Sequence, residues 1–378
     1  MKRSSTSFQV DPRESMRYLP WWMQLSLTVI TGKPYRGQQP SRWTLWQYLI
    51  GTLGCLIVGL LLSILATHRP GLGLLLPLGW LLTTGSMRTL QVVVMHHCSH
   101  VNVTGNKSID TYMGQWISIL LMIQDFDSYN FAHRIHHSLK GHLTTKDETL
   151  IFLFKQLKLR PGMSKQECWR TLYQALWSPR FHLDFLYRRF RACFLSASLS
   201  HNIEAYSFWF FVLRSVFVMH MELPFLLGWV IPMTLLYQIY TCLRLIVEHE
   251  FPELQLLTDR DKRFVAEATK AVFLGDPTPN PSLEGSPKFL AWCRWWLRLL
   301  FIHVPCRFMI LPGDTPVHDF HTRHPGNDDW VNAIWLREAE LVAGCVDWPL
   351  LYEEHWGLGT AIDATFESIS QLPPGFIP

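Results

Sequence analysis

The chain has 378 residues, 48% of them hydrophobic and only 17% charged, with 17 Trp and 23 Phe. A net charge of +4 excludes the basic footprint of a nucleic-acid binder. Eight scattered cysteines without paired spacing exclude a disulfide framework or a zinc ribbon and read as reduced thiols.

The start of the chain, residues 1–6, is polar, and no apolar stretch of signal-peptide length follows in the first 20 residues, so no cleavable signal is expected. Residues 43–67 carry no charge over 25 residues, which at about 1.5 Å per residue spans a bilayer core of about 30 Å. A tight turn at His68-Arg69-Pro70-Gly71 leads into a second apolar run, residues 72–95. Its one charge, Arg88, must snorkel or face the protein interior. Residues 205–221 and 223–243 predict a second hairpin, turning at His220-Met221-Glu222-Leu223-Pro224. The first of these runs is the weaker, because Arg214 must then face protein or water.

The expected fold is all-α and integral to a membrane. Two transmembrane helical hairpins supply four spans, and a helical cap carries the histidine clusters described below. The segments are 1–42, the first hairpin 43–95, then 96–204, the second hairpin 205–247, and 248–378. The three segments outside the hairpins fall on one side and hold nearly all the lysine and arginine, so the positive-inside rule places them in the cytosol. Short opposite loops and the expected lack of a signal fit a bacterial plasma membrane, or the endoplasmic reticulum in a eukaryote. Within the cap, residues 169–194 and 289–302 mix Trp, Tyr and Phe with arginine. They read either as helices in the headgroup plane or as packed cap helices. Residues 275–287 read as a loop, and the tail beyond Gln371 as extended.

The 17 histidines cluster. His96, His97 and His100 follow the second run; His133, His136, His137 and His142 come next; His249 ends the fourth run; His318, His321 and His324 form a last group. Spacings of three and four put pairs on one helix face, with Cβ atoms roughly 5–6 Å apart. Imidazole suits iron, copper, zinc and nickel, and seven or more imidazoles exceed the four ligands of a tetrahedral ion. The supply fits two metals. His68, His182, His201, His220, His303 and His355 stand alone and read as structural or surface residues. No His-Glu-x-x-His protease pattern and no Cys-x-x-Cys occurs.

With His96-His97-Cys98-Ser99-His100, His133-Arg134-Ile135-His136-His137 and the Arg244 to Glu248-His249 string, residues 43–330 resemble the membrane fatty acid desaturase and hydroxylase superfamily. That family carries three histidine boxes beside two helical hairpins. The third box departs from its pattern: His321-Thr322-Arg323-His324 is followed by Pro325, and His318 stands three residues upstream of His321. The resemblance implies two non-haem irons with O2 as co-substrate. The ligands it implies are His96, His100, His133, His136, His137, His249, His318, His321 and His324, with His97 and His142 in reserve. Glu248, Asp319, Asp125 and Asp127 are the carboxylates expected to orient the imidazoles. It further implies a lipid or acyl substrate and a separate electron donor of ferredoxin or cytochrome b type. Desaturation of an acyl chain is the first expectation. Hydroxylation or ketone formation on a lipid or lipophilic metabolite is the alternative on the same site. A non-enzymatic membrane metal-binding protein is the alternative of another class, but it would place ionisable residues through spans that here are nearly free of charge.

Overall fold

The computed structural model describes residues 11–376; the polar start, residues 1–6, and the last two residues of the tail lie outside the described residues. The chain is mostly helical. The Leu45–His68 helix opens on a capping box, Thr44 accepting from the Gln47 amide while the Gln47 side chain returns to the Thr44 amide. No proline interrupts it, so its 24 residues run about 36 Å. Trp46, Ile50, Leu53, Ile57, Leu61 and Leu65 are exposed on its outer side. In water that apolar face would be unfavourable, and against lipid it is matched.

Small residues let this helix approach its neighbours. A Cβ on Gly59 would lie 2.9 Å from the Gly79 carbonyl oxygen and 2.8 Å from the Thr83 nitrogen, so the Leu45–His68 helix packs backbone to backbone on residues 75–99. A Cβ on Gly228 would lie 2.8 Å from Ser63 Cβ, which brings the Glu222–Ile246 helix to the same seam. Residues 75–99 form one rod: Leu75–Thr89, a π-helical stretch Leu90–Met95, then His96–Ser99.

By length and composition two helices can cross a membrane, Leu45–His68 and Glu222–Ile246. A third candidate is the pair Gly285–Ile310 and Thr315–Arg323, bent by 77°. Length and composition therefore single out fewer spans than the four expected, and the reason is polarity. The 75–99 rod buries Thr83, Thr84, Ser86 and Arg88. The Leu199–Val218 helix carries Glu204 and an exposed Arg214, with no ion-pair partner for Arg214 among the described residues. Arg88 takes the interior option: it is fully buried and donates to Gln91, Thr241 and the Met309 carbonyl.

Two parallel three-residue strands depart from the all-α expectation, Ala271–Phe273 pairing with Glu354–Trp356 in the register Val272 to His355. Residues 275–284 form the expected loop, but the helix that follows is longer than expected, running Gly285–Ile310. Residues 169–194 divide into the Lys165–Leu176 and Pro179–Phe194 helices, each opened by a serine cap.

Candidate metal centre

Three elements deliver the histidine clusters, and His249 comes from a fourth, just past the end of the Glu222–Ile246 helix. The π-helical stretch Leu90–Met95 ends at His96, and such turns re-aim the residues that follow them. The Phe126–His136 helix begins where Asp125 caps the Ser128 amide. On it His133 and His137 are four apart and share one face, while His136 points about 60° to the other side of His133, at 100° per residue. The third group sits just past the sharp bend. There Arg307 donates to the carbonyls of Leu311 and Gly313 in the bend and to that of Val29 in the Gln24–Thr31 helix, tying the bend to its neighbour. Gly313 takes φ +58° in that bend, and a Cβ would meet Tyr48 Oη and the Val93 side chain.

The result is two adjacent donor sets. The first gathers His96, His100, His133, His137 and His321, with ligand nitrogens all within 4.8 Å of one another. His96 Nε2 lies 2.7 Å from His321 Nε2, His133 Nε2 lies 2.8 Å from His100 Nε2, and His321 Nε2 lies 3.3 Å from His137 Nε2. The second set gathers His136, Glu248, His249 and His318. His136 Nε2 and His249 Nε2 are 3.1 Å apart, and His318 Nε2 is 3.6 Å from Glu248 Oε1.

These contacts fit cations better than hydrogen bonds. A neutral imidazole carries one proton on two nitrogens, so five converging Nε2 atoms cannot all be paired. In the second set, buried His318 Nε2 has no hydrogen-bond partner. Nitrogens at about 2.0–2.1 Å from one ion lie at most about 4.2 Å apart, so the observed spread closes on an ion with shifts of a few tenths of an ångström.

The outer contacts aim the rings. His136 Nδ1 donates to Asp147, 3.1 Å away, and Asp147 also accepts from the Leu143 and Thr149 amides. His249 Nδ1 is hydrogen-bonded with Thr269 Oγ1 at 2.9 Å. In both cases Nε2 is left to the donor set. Thr269 is held where it is by the small sheet that begins at Ala271. One first-set ring, His133, also stacks on Tyr129 with centroids 5.4 Å apart.

Charge follows this arrangement. Burial, with neighbouring imidazoles adding to it, holds His133, His137 and His249 well below the usual histidine range. Neutral imidazole is the form that binds metal. Burial opposes the charged form of His136 as well, but Asp147 and Glu248 together outweigh it and raise His136 to about 9. Burial also works against the Asp147 carboxylate, yet His136 and His142 bring it below the usual carboxylate range. His142 falls to about 3 through burial and the neighbouring His136.

Of the nine expected ligands, the structure brings eight into the two sets. His324 lies apart: its Nε2 bonds Glu340 at 2.8 Å, and the side chain is 36% exposed. His97 turns to Asp314 at 2.9 Å and stacks on Trp330. His142 packs edge-on against His249 beside Asp147. Glu248, expected to orient imidazoles, stands among the donors itself. Of the other three carboxylates expected in that role, Asp319 pairs with Arg337 at 2.8 Å, Asp125 caps its helix, and Asp127 is exposed. Sequence reasoning missed Asp147, which accepts from His136, and Asp314, which contacts His97. His68, His182, His201, His220, His303 and His355 lie outside both donor sets.

The family model for fatty acid desaturase matches residues 70–306, well over half of the chain. The match takes in the first two clusters and His249 and ends before His318. No curated protein and no solved structure matches the chain.

Proposed function

The chain belongs to the fatty acid desaturase family, and on that premise we propose that it is an O2-dependent di-iron oxidoreductase of a membrane that introduces a double bond into a fatty acyl chain or lipid. The observation that carries this reading is the convergence of nine donors, drawn from positions 96 to 321, on two adjacent sets. Irons held there would supply O2 activation strong enough to take hydrogen from an unactivated methylene, a step no side-chain acid or base performs.

The chain's own residues would hold the metals, exclude water and fix one substrate carbon against them. His96, His100, His133, His137 and His321 would hold one iron, and His136, Glu248, His249 and His318 the other. Asp147 and Thr269 would keep His136 and His249 in the ligating tautomer. Removing two hydrogens from the substrate while reducing O2 to two waters takes up two electrons and two protons. A separate donor of ferredoxin or cytochrome b type would deliver the electrons. We further place residues 43–95 and 205–247 as two membrane hairpins. Residues 96–204 and 248–378 would then lie on the cytosolic side of a bacterial plasma membrane, or of the endoplasmic reticulum in a eukaryote.

The departure of the third cluster, with His324 turned out to Glu340, keeps a second reading in play: hydroxylation or ketone formation on a lipid or lipophilic metabolite. Lipid analysis of a host with and without the protein decides between them. Loss of two hydrogens supports desaturation, and gain of one oxygen supports the second reading. Iron-loaded protein that changes no lipid would leave a metal-binding protein. Purified protein should hold about two irons per chain, and activity with zinc alone would defeat the di-iron assignment.

A further inference from the structure

A cavity of about 430 Å³ opens beside both donor sets, with His96, His133, His136, Glu248 and His318 in its wall. Three buried guanidiniums line the same cavity, and Arg244 among them is paired with Glu248 at 3.2 Å, which leaves Arg88 and Arg189. Arg88 is fully buried; its Nη1 donates to Gln91 Oε1 at 2.7 Å and Thr241 Oγ1 at 2.8 Å, and its Nε to the Met309 carbonyl at 3.3 Å. Arg189, also buried, donates to the carbonyls of Met233 at 2.7 Å and Leu121 at 2.5 Å. Every one of these acceptors is neutral. The two guanidinium carbons lie 5.2 Å and 4.4 Å from the centre of one ring, that of Tyr237.

Around the Tyr237 ring three donors have no hydrogen-bond partner although they are buried: Arg88 Nη2, Arg189 Nε and the Tyr237 hydroxyl; Arg244 Nε is a fourth in the cavity wall, on a guanidinium that already faces Glu248. The acids in the cavity wall are engaged elsewhere. Asp147 is bonded by His136, Asp314 by His97, and Glu248 by Arg244 at 3.2 Å. Glu148 is exposed. Neither Arg88 nor Arg189 forms an ion pair with a carboxylate among the described residues. An unpaired buried charge is costly even after relaxation, and two positive charges around one ring raise that cost for each other. Neutral acceptors offset only part of it. The missing partner is an anion.

We propose that the substrate is a free carboxylic acid whose carboxylate enters this cavity and is held by Arg88, Arg189 and the Tyr237 hydroxyl. A planar carboxylate matches the guanidinium fork. An ester or thioester has no such charge to offer. Val92, Ile123 and Phe152 in the same wall give the carbon chain an apolar path. Arg88 precedes His96 by eight residues on one rod, so the acid group and the attacked carbon lie within roughly 12 Å of each other at 1.5 Å per residue. The inference rests on the di-iron reading of the adjacent donor sets. Its competitor is a structural role, in which the two arginines only tie helices together through carbonyl oxygens.

Calorimetry on the iron-loaded protein in detergent, titrated with decanoate, palmitate and their methyl esters, separates the two. The better-fitting acid should bind about tenfold or more tightly than its ester, the scale of a charged hydrogen bond. In Arg88→Gln and Arg189→Gln that preference should vanish, with ester binding unchanged. Equal binding of acid and ester to the unaltered protein, no binding of either acid, or a preference that survives both substitutions would overturn the proposal. The comparison on unaltered protein stands even where a variant fails to fold. Iron content and product analysis on the same samples keep the two readings apart. With O2 and a reduced electron donor supplied to those samples, an acid that binds with this preference but is never oxidised defeats the redox assignment and leaves the anion site standing. An oxidised ester with no acid preference does the reverse.

Discussion

Asp147 bonds one donor imidazole, His136, and is itself fixed by two backbone amides. Removing such an outer partner costs roughly 10–100-fold in metal affinity. On the di-iron reading, Asp147→Ala should therefore loosen the second set alone, and metal analysis after dialysis should find about one iron per chain against an expected two in the parent. His324→Ala should keep both, because that ring is committed to Glu340. Loss of an iron in His324→Ala would put the ligand assignment of the third cluster in error. The contrast also shows how far the site could be read from the chain. Imidazoles at spacings of three and four announce a shared helix face, and that holds for His96 with His100 and for His133 with His137. It fails at His324 because the His318–Arg323 helix has ended there, with the backbone at φ −130° and ψ 60°, so a spacing of three from His321 no longer keeps one face. Asp314 is 217 residues from the ring it contacts and lies in a turn, where no local pattern marks it.

Helix by helix, legibility depended on whether polar residues interrupted the apolar pattern. The uninterrupted run at 43–67 is the Leu45–His68 helix to within two residues. The Gly285–Ile310 helix was read only over 289–302, since Pro305 and Arg307 break the pattern. Arg307 is nonetheless what closes that helix, by occupying the carbonyls of the bend that presents His318 and His321. The bend makes a sharp prediction. An L-residue at the φ of Gly313 costs roughly 1–2 kcal/mol, and the added Cβ would also collide with Tyr48 and Val93. Gly313→Ala should lower the melting temperature and release iron from both sets, since His318 serves one and His321 the other. A variant with parental melting and full iron would show that the bend does not position the third cluster. The close seam behaves differently. Gly59→Leu would force apart backbones that now touch Gly79, so it should cut the yield of folded protein extracted from membranes. Any protein that does fold should still hold iron, because the donor sets lie beyond the end of that seam.

Across the whole molecule, the donor sets are where distant parts of the chain meet. His96 and His321 are 225 residues apart, and His136 and His249 are 113 apart. Few other charged or polar ties cross between the 75–99 rod and the segment after the bend, and one of them, His97 to Asp314, borders the same centre. A ligand that binds only the folded state stabilises it by RT ln(1 + [L]/Kd), about 2.7 kcal/mol at a hundredfold excess over Kd. Metal removal should therefore act on the fold as a whole. It would leave His318 and the converging Nε2 atoms of the first set buried without full pairing, and each buried unsatisfied group costs about 1–3 kcal/mol. Treating purified protein with an iron chelator should lower its melting temperature by several degrees in a single transition, and restoring ferrous iron should return it. His136→Ala should show a smaller drop on chelation than the parent, since it enters the experiment with one set already impaired. A melting temperature that stays fixed while iron leaves would mean that packing alone preorganises the donors. Asp319 with Arg337, a pair buried at 2.8 Å beside His318 and His321, would then be the first tie to examine. Breaking such a buried pair by Arg337→Ala costs about 3–5 kcal/mol and would have to separate the third cluster from the other two.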